Sequence, residues 1–262
     1  MLRTRVITAL CLLAGLLPAV FLLPAWGWMI LVAAVAGLAG WELGRLAGFA
    51  AAASVAFGVG IAGLCLAYAF GVDSTAADRA VLTVSAAVWL LAAPLWLRRR
   101  WPLRPAGLAL VVGLIVILPT WLALVLLWKV GPATLFGTMA LVWIADIAAY
   151  FTGRRFGRRK LAPNISPGKT WEGAWGAIAG VLIYGLAVFA AGALPSLPLG
   201  LVLVALPILT LVSIEGDLFE SLLKRQAGFK DSSGLLPGHG GVLDRIDSLT
   251  STLPIAALLL IR

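Results

Sequence analysis

The residues of this sequence that could do chemistry are concentrated towards its C-terminus. The stretch LLPGHGGVLDRIDS contains the only histidine of the chain, His239, followed by Asp244 and Asp247. Gly240 and Gly241 separate the histidine from the acids, and glycines allow positive φ angles and close approach of the main chain to a ligand. The two aspartates are spaced i and i+3, so a helix beginning here would present both on one face.

A second polar cluster, SIEGDLFESLLKRQAGFKDSSG, interrupts an apolar helix. Asp217, Ser221 and Lys224 recur at i, i+4 and i+7, which predicts one helical face, whereas Glu215 and Glu220 are predicted to point elsewhere. An acid within a membrane helix is costly and normally faces a polar cavity or a partner. The alternative for Asp217 is an interfacial residue that pairs with Lys224.

The two clusters are joined by a short segment, so Asp217 and Asp244 are predicted to face one another. Two carboxylates surrounded by cations suit Mg²⁺ and a polyphosphate, since magnesium takes one or two carboxylates together with phosphate oxygens and water. A zinc site lacks soft ligands, and acyl transfer lacks a nucleophile at a recognisable spacing from His239. The cations in question are Lys224, Arg225, Lys230 and Arg245.

A third cluster, ADIAAYFTGRRFGRRKLAPNISPGKTWEG, begins with Asp146 and Tyr150 one helical turn apart. Its basic run is interpreted mainly as a topology signal in contact with anionic lipid. Around ISPGKT, Pro163, Pro167 and Gly168 predict a tight turn. This turn would present Ser166, Lys169 and Thr170 before an apolar helix, where backbone N–H groups favour phosphate. The turn is not a Walker A motif, because Pro163 stands where that motif needs glycine.

Composition shows what must position these clusters. The chain of 262 residues is 62% hydrophobic and only 12% charged, which predicts an all-α integral membrane protein. We expect a bundle of about nine transmembrane helices with a cytoplasm-facing polar cavity in the C-terminal half. The predicted spans are 6–23, 27–45, 48–70, 80–97, 106–128, 131–151, 173–194, 198–220 and 245–261.

The chain is predicted to divide into a scaffold of five plain spans over 1–130 and a catalytic region of four spans over 131–262, with cytoplasmic loops at 152–172 and 221–244. With the N-terminus in the cytoplasm, all but three of the 20 basic residues lie inside, as the positive-inside rule requires. The exceptions are Arg79, Lys129 and Arg262. Eight spans are the alternative, with the first two forming a bent hairpin. A retained first helix is favoured over a cleaved signal peptide.

The segment from Ser221 to Asp247, SLLKRQAGFKDSSGLLPGHGGVLDRID, resembles the signature of phosphatidate cytidylyltransferases, also called CDP-diacylglycerol synthases. The resemblance extends to the Asp146–Tyr150 turn and to ISPGKTWEG. Many members of that family carry a lysine where this chain has Gly168, whereas Lys169 matches.

The resemblance implies transfer of CMP from CTP to phosphatidic acid, which gives CDP-diacylglycerol and pyrophosphate, with Mg²⁺ and often K⁺. It implies that Asp217 and Asp244 are metal ligands supported by Asp247. The implied phosphate-neutralising residues are Lys224, Arg225 and Arg245. The implied substrate-binding residues are Ser166, Lys169, Thr170, Ser221, Lys230, Asp231, Gly240, Gly241, Asp146 and Tyr150. For His239, phosphate binding, acid catalysis and a structural role in the glycine loop stay open.

Other functions fit the sequence less well. A CTP-dependent lipid-alcohol kinase would lack this signature, and the DG-x2-AR run of CDP-alcohol phosphotransferases is missing. An ion transporter would place its acids at mid-membrane depth, whereas these lie near one face. The net charge of +9 marks cytoplasmic loops and not a nucleic-acid partner. We expect a bacterial inner-membrane protein whose active site faces the cytoplasm, and its alanine–glycine faces permit a homodimer.

Overall fold

The computed structural model describes residues 2–104, 106–193 and 197–261, and its architecture is a bundle of long helices. Nine helices lie within these ranges, in agreement with the predicted all-α membrane class. They are α1 (Leu2–Leu22), α2 (Ala25–Leu46), α3 (Ala51–Gly71), α4 (Thr75–Arg99), α5 (Ala106–Val130), α6 (Pro132–Phe156), α7 (Trp171–Ala190), α8 (Leu199–Gln226) and α9 (Leu243–Leu260). The predicted end of the seventh span at residue 194, the spacer that follows it and the predicted outside residue Arg262 fall on residues 194–196 and 262, which lie outside the described ranges.

Seven helices, α2 to α8, are long and apolar enough to cross a membrane. The apolar part of α1 is shorter, from Val6 to Leu22. Helix α9 begins with three charged residues within its first turn and a half. The total of nine spans therefore stays a prediction, and so does the division at residue 130.

Two predicted loops are shorter than expected, and one of them contains strands. Helix α6 continues to Phe156 and α7 begins at Trp171, so the loop predicted over 152–172 is reduced at both ends. The loop predicted over 221–244 is also too long, since α8 runs to Gln226 and α9 starts at Leu243. Polar and charged residues extend α6 and α8 beyond their apolar segments, and on α8 the pairing of Lys224 with Glu220 stabilises the added turns.

The predicted tight turn over ISPGKT is wrong in detail, because the segment is a β-hairpin. Strand β1 (Lys160–Ala162) pairs antiparallel with β2 (Ser166–Thr170), with Lys160 opposite Thr170. The turn lies before β2, where the N–H of Ile165 donates to the carbonyl of Ala162. Thr170 then caps α7 by accepting a hydrogen bond from the N–H of Gly173 at 3.1 Å, so strand and helix follow without a spacer.

Helix α4 accommodates a proline within a span by changing its winding. Residues Val88–Ala92 form a π-helical segment immediately before Pro94. A proline clashes with the carbonyl four residues earlier, here that of Leu90, and a wider turn relieves this clash without breaking the helix.

Helix α9 forms the centre of the C-terminal half. It packs against α8, α5 and α4, and its residues from Ser248 to Ala257 are all buried. The helix reaches α8 closely because Gly216 of α8 faces Ser251, whose hydroxyl donates to the carbonyl of Val212 at 2.8 Å. Helix α6 packs along α7 in a similar way through glycines on α7. These contacts hold the polar ends of α6, α7, α8 and α9 together.

Segments that were predicted on one side of the membrane meet at one end of the bundle. The Gln226 amide donates to the carbonyls of Arg100 and Trp101, and the Thr8 hydroxyl donates to the carbonyl of Pro237. At the other end, Arg79 donates to the carbonyl of Ile261.

The closest helix pair, α2 and α3, gives a testable prediction about packing. A Cβ at Gly58 would overlap the backbone oxygen of Gly37 and lie 2.9 Å from the Trp41 backbone N, whereas a Cβ at Gly60 would meet no atom within 4 Å. Backbone cannot move aside cheaply, so Gly58→Ala should destabilise the bundle by about 1–3 kcal/mol. The thermal unfolding midpoint in detergent should fall for Gly58→Ala and not for the control Gly60→Ala. Equal midpoints would contradict the helix contact.

Candidate active site

A polar cleft of about 480 Å³ opens where α6, the hairpin, α7 and α8 meet. Six of the residues predicted from the sequence to bind substrate or metal line it together. These are Asp146, Tyr150, Ser166, Lys169, Thr170 and Asp217. The rest of the lining is small or apolar, apart from Arg154, whose guanidinium donates to the Tyr150 hydroxyl at 3.0 Å.

An ion pair crosses this cleft. The Lys169 ammonium on β2 lies 2.5 Å from Oδ2 of Asp217 on α8, and both side chains are only partly exposed. The Ser221 hydroxyl, one turn further along α8, donates to Oδ1 of Asp217 at 3.2 Å. Asp217 therefore pairs with the hairpin, and the alternative in which it pairs with Lys224 is wrong.

The hairpin holds Lys169 in place because α7 anchors it. The Glu172 carboxylate accepts hydrogen bonds from the backbone N–H groups of Arg158 and Arg159 at 3.1–3.3 Å. Arg159 also lies 3.7 Å from Glu172 through its guanidinium. A first-turn carboxylate on α7 thus fixes both ends of the hairpin.

More charges surround the cleft. Asp146 lies near Lys169, Asp217 and Arg245, and Asp247 lies near Asp146 and Asp217. Three aspartates and two basic residues thus share this end of the bundle.

Lys224 lies in a separate, buried cluster beside the cleft. Its ammonium is 2.6 Å from Oε2 of Glu220 and 2.5 Å from Oδ1 of Asp244, and Lys224 is only 9% exposed. The prediction that Glu220 points away from Lys224 is wrong, because i and i+4 are neighbours on a helix and the lysine side chain bends towards α9.

Asp244 is held through both of its oxygens. Oδ1 faces Lys224, and Oδ2 accepts from the Ser232 N–H, the Ser232 hydroxyl and the Gly241 N–H at 2.7–2.8 Å. Asp217 and Asp244 thus bind different lysines. The Lys224 ammonium and the two backbone N–H groups fix the position of this carboxylate and favour its ionised form.

The glycine loop is shaped to deliver these donors. Gly238 and Gly240 have φ angles of 76° and 82°, which favour glycine. A Cβ at Gly240 would lie 2.6 Å from Oδ2 of Asp244, and a Cβ at Gly241 would overlap the Ser232 hydroxyl. The predicted close approach of the glycines is therefore to the chain's own aspartate.

The remaining predicted residues lie at the edge. All four are exposed, and none of them lines the cleft: Arg225, Lys230, Asp231 and Arg245. His239 closes the loop with its backbone N–H, which donates to the Leu236 carbonyl at 2.8 Å. Within the described part of the chain, no group hydrogen-bonds its buried Nδ1.

The sequence interpretation misses one residue entirely, Glu42 of α2. This side chain is fully buried and accepts hydrogen bonds from three residues of the loop before α9 and from the first residue of α9. The signal that could have found it is an isolated carboxylate inside an otherwise apolar span, since such residues are usually functional.

The glycine loop gives a second testable prediction. Gly240→Ala adds a methyl group against the Asp244 carboxylate at a strained φ, so segment 231–244 should lose its hydrogen bonds. Amide hydrogen exchange there should become faster, and Gly234→Ala is the matched control because a Cβ at Gly234 meets nothing within 4 Å. Unchanged exchange in Gly240→Ala would contradict the loop geometry.

The chain is similar to known proteins over nearly its whole length. A model described as the cytidylyltransferase family matches residues 3–261. The chain is 45% identical to a phosphatidate cytidylyltransferase of Pseudomonas aeruginosa, over 99% of this chain and 97% of that protein. It is 52% identical to the Haemophilus influenzae enzyme over 44% of this chain and 41% of that protein, and 42% identical to the Bacillus subtilis enzyme over 50% and 48%.

Proposed function

Because the chain belongs to the cytidylyltransferase family, we propose that it transfers CMP from CTP to phosphatidate, giving CDP-diacylglycerol and pyrophosphate for phospholipid synthesis. The observation that carries the proposal is the cleft with the Lys169–Asp217 pair, beside the buried Lys224–Asp244 pair. Such a site offers both cations and carboxylates to a polyphosphate and a lipid phosphate that must approach each other.

In the proposed reaction, a phosphate oxygen of phosphatidate forms a bond to the α-phosphorus of CTP. The bond from that phosphorus to the bridging oxygen of the β-phosphate breaks, and the electron pair leaves with pyrophosphate. The nucleophile is already an anion near neutral pH, so no strong base is needed. The main difficulty is repulsion between two anions, which positive groups in a preorganised site reduce.

Lys169 has the best position for this task. It is on the rim of the cleft, and it can exchange its Asp217 partner for a phosphate oxygen without leaving the hairpin. Arg154 and Arg245 add positive charge near it. Lys224 contributes differently, since its ammonium is held by two carboxylates and fixes Asp244.

We propose Mg²⁺ as the cofactor, with Asp217 and Asp244 as its ligands and Asp247 in support. Among the described residues, no three acidic, histidine or cysteine side chains form a metal site of their own. Two aspartate carboxylates fit magnesium, because this ion completes its coordination shell with phosphate oxygens and water. The ammonium groups of Lys169 and Lys224 lie beside Asp217 and Asp244, so each carboxylate already binds a cation at close range. When bound, the ion would stabilise negative charge on the phosphates. A role for K⁺ is also a proposal.

The direct test uses purified protein with Mg²⁺, phosphatidic acid and CTP labelled in the cytidine or in the γ-phosphate. Cytidine label should enter the lipid phase only when phosphatidic acid is present. Asp217→Asn and Asp244→Asn should lower the rate on the order of a hundredfold, because each removes a carboxylate that holds a lysine and that would hold Mg²⁺ against the phosphates. Asp73→Asn, an exposed residue in the segment between α3 and α4, is the control.

Two outcomes would contradict this proposal. Transfer of γ-label and not cytidine label would show a lipid kinase. If the folded wild-type protein transfers no label, with phosphatidic acids of several acyl chains and with K⁺ supplied, the proposed cytidylyltransferase activity is wrong.

We also propose that the protein lies in the bacterial inner membrane with the cleft facing the cytoplasm and CTP. The segments predicted inside meet at the end of the bundle that carries the cleft. In a background lacking Cys11 and Cys65, a membrane-impermeant maleimide should label Asp73→Cys in intact cells and Gly234→Cys only after the inner membrane is permeabilised. The reverse pattern would invert the orientation. A homodimer remains a prediction from the small-residue faces of the helices.

A further inference from the structure

Glu42 connects the N-terminal helices to the candidate site. It lies one turn before the end of α2, with an exposed fraction of 0%. Its Oε1 accepts from the Ser233 hydroxyl at 2.6 Å and the Val242 N–H at 3.0 Å, and its Oε2 accepts from the Leu243 N–H at 2.6 Å and the Ser232 hydroxyl at 3.0 Å. All four partners are donors, so the site is built for a carboxylate.

The hydrogen bonds from Val242 and Leu243 to Glu42 cap the N-terminus of α9 with a side chain of another helix. The first N–H groups of a helix need acceptors, and these usually come from the N-cap side chain. Here the N-cap residue is Val242, which has no acceptor in its side chain. A carboxylate from α2 supplies it instead and interacts favourably with the positive end of the helix dipole.

The bond to Ser232 leads directly to Asp244. The Ser232 hydroxyl is 3.0 Å from Oε2 of Glu42 and 2.8 Å from Oδ2 of Asp244. The hydroxyl has one proton, so it donates to one carboxylate at a time. Its backbone N–H holds Asp244 at 2.8 Å independently. Ser232 thus contacts both acids, and Glu42 contributes through it to holding Asp244 in position.

We propose that Glu42 is a positioning residue for the reaction, acting through Ser232 and the first turn of α9 to hold Asp244 and its Lys224 partner. The inference rests on the proposed function, since it gives Glu42 a part in that reaction. It makes α2 a component of the active site, although α2 contributes no residue to the lining of the cleft.

Glu42→Gln is the primary test, because the shape stays and one oxygen becomes an NH₂ group. That group would face two donors, so Val242 with Ser233, or Leu243 with Ser232, would lose their acceptor. A displacement of about 1 Å can cost about a hundredfold in rate, so kcat should fall on the order of 10- to 100-fold. Amides 242 and 243 should also exchange faster.

A control separates positioning from folding. Ser85 of α4 is fully buried, and its hydroxyl donates to the carbonyl of Ile115 at 3.2 Å. Neither residue lines the cleft. Ser85→Ala should lower the thermal midpoint and leave kcat within about twofold of the wild type, a change of less than about 0.5 kcal/mol in barrier. If Ser85→Ala lowers kcat as much as Glu42→Gln, general destabilisation explains the loss and the proposal fails.

A double-mutant cycle tests whether Glu42 acts on the site through Ser232. If Glu42 acts through Ser232, the double variant Glu42→Gln, Ser232→Ala should lose less activity than the product of the two single losses. Losses that multiply would overturn the proposed route. If Glu42→Gln does not fold, Glu42→Asp keeps the charge but cannot reach all four donors, and it should fold with reduced kcat.

Wild-type kcat in either folded Glu42 variant would overturn the proposal. An inactive wild type would instead remove the proposed function itself, so the two failures are distinguishable.

Discussion

A single buried ammonium group holds the polar half of this membrane bundle together. Lys224 lies between Glu220 on its own helix and Asp244 at the start of α9. Burying charges costs free energy that only close pairing offsets, and removal of one partner of a buried pair typically costs about 3–5 kcal/mol. Without this cation, α8 and α9 would bring two carboxylates together in a region with little water. The packing of Gly216 against Ser251 depends on the same approach of the two helices.

The cleft depends on that helix pair and on a hairpin that a third helix anchors. Asp217 is on α8, which packs against α9, whereas Lys169 comes from a two-stranded hairpin that α7 anchors through Glu172. An isolated hairpin of this size is marginally stable. The structure therefore combines a carboxylate of fixed position with a cation whose support is local. A site that admits two large anions and releases two products benefits from that difference.

The sequence predicts much of this arrangement because membrane burial is expensive. Asp146, Asp217 and Lys169 stand out against apolar surroundings, and helical spacing and short connections are enough to place them at one end of the bundle. The hairpin was not predicted, since a three-residue strand paired with ISPGKT has no alternating pattern of its own. The pairing of Lys224 with Glu220 was also missed, because a long side chain can turn to either neighbour and tertiary contact with Asp244 decides which. Glu42 was missed for a different reason: its partners lie about 190 to 201 residues away, and three of its four contacts depend on a loop without periodicity.

The distance in sequence between Glu42 and its donors has a consequence for biosynthesis. Glu42 leaves the ribosome 190 residues before Ser232, which at about 5–20 residues per second is roughly 10–40 s earlier. During that interval its carboxylate has none of these hydrogen-bond partners, and burial of an ionised carboxylate without partners is costly. We therefore expect the C-terminal end of α2 to stay in contact with water until the loop before α9 has been synthesised. Helix α9, which is made about 200 residues after Glu42, completes the environment of this α2 side chain.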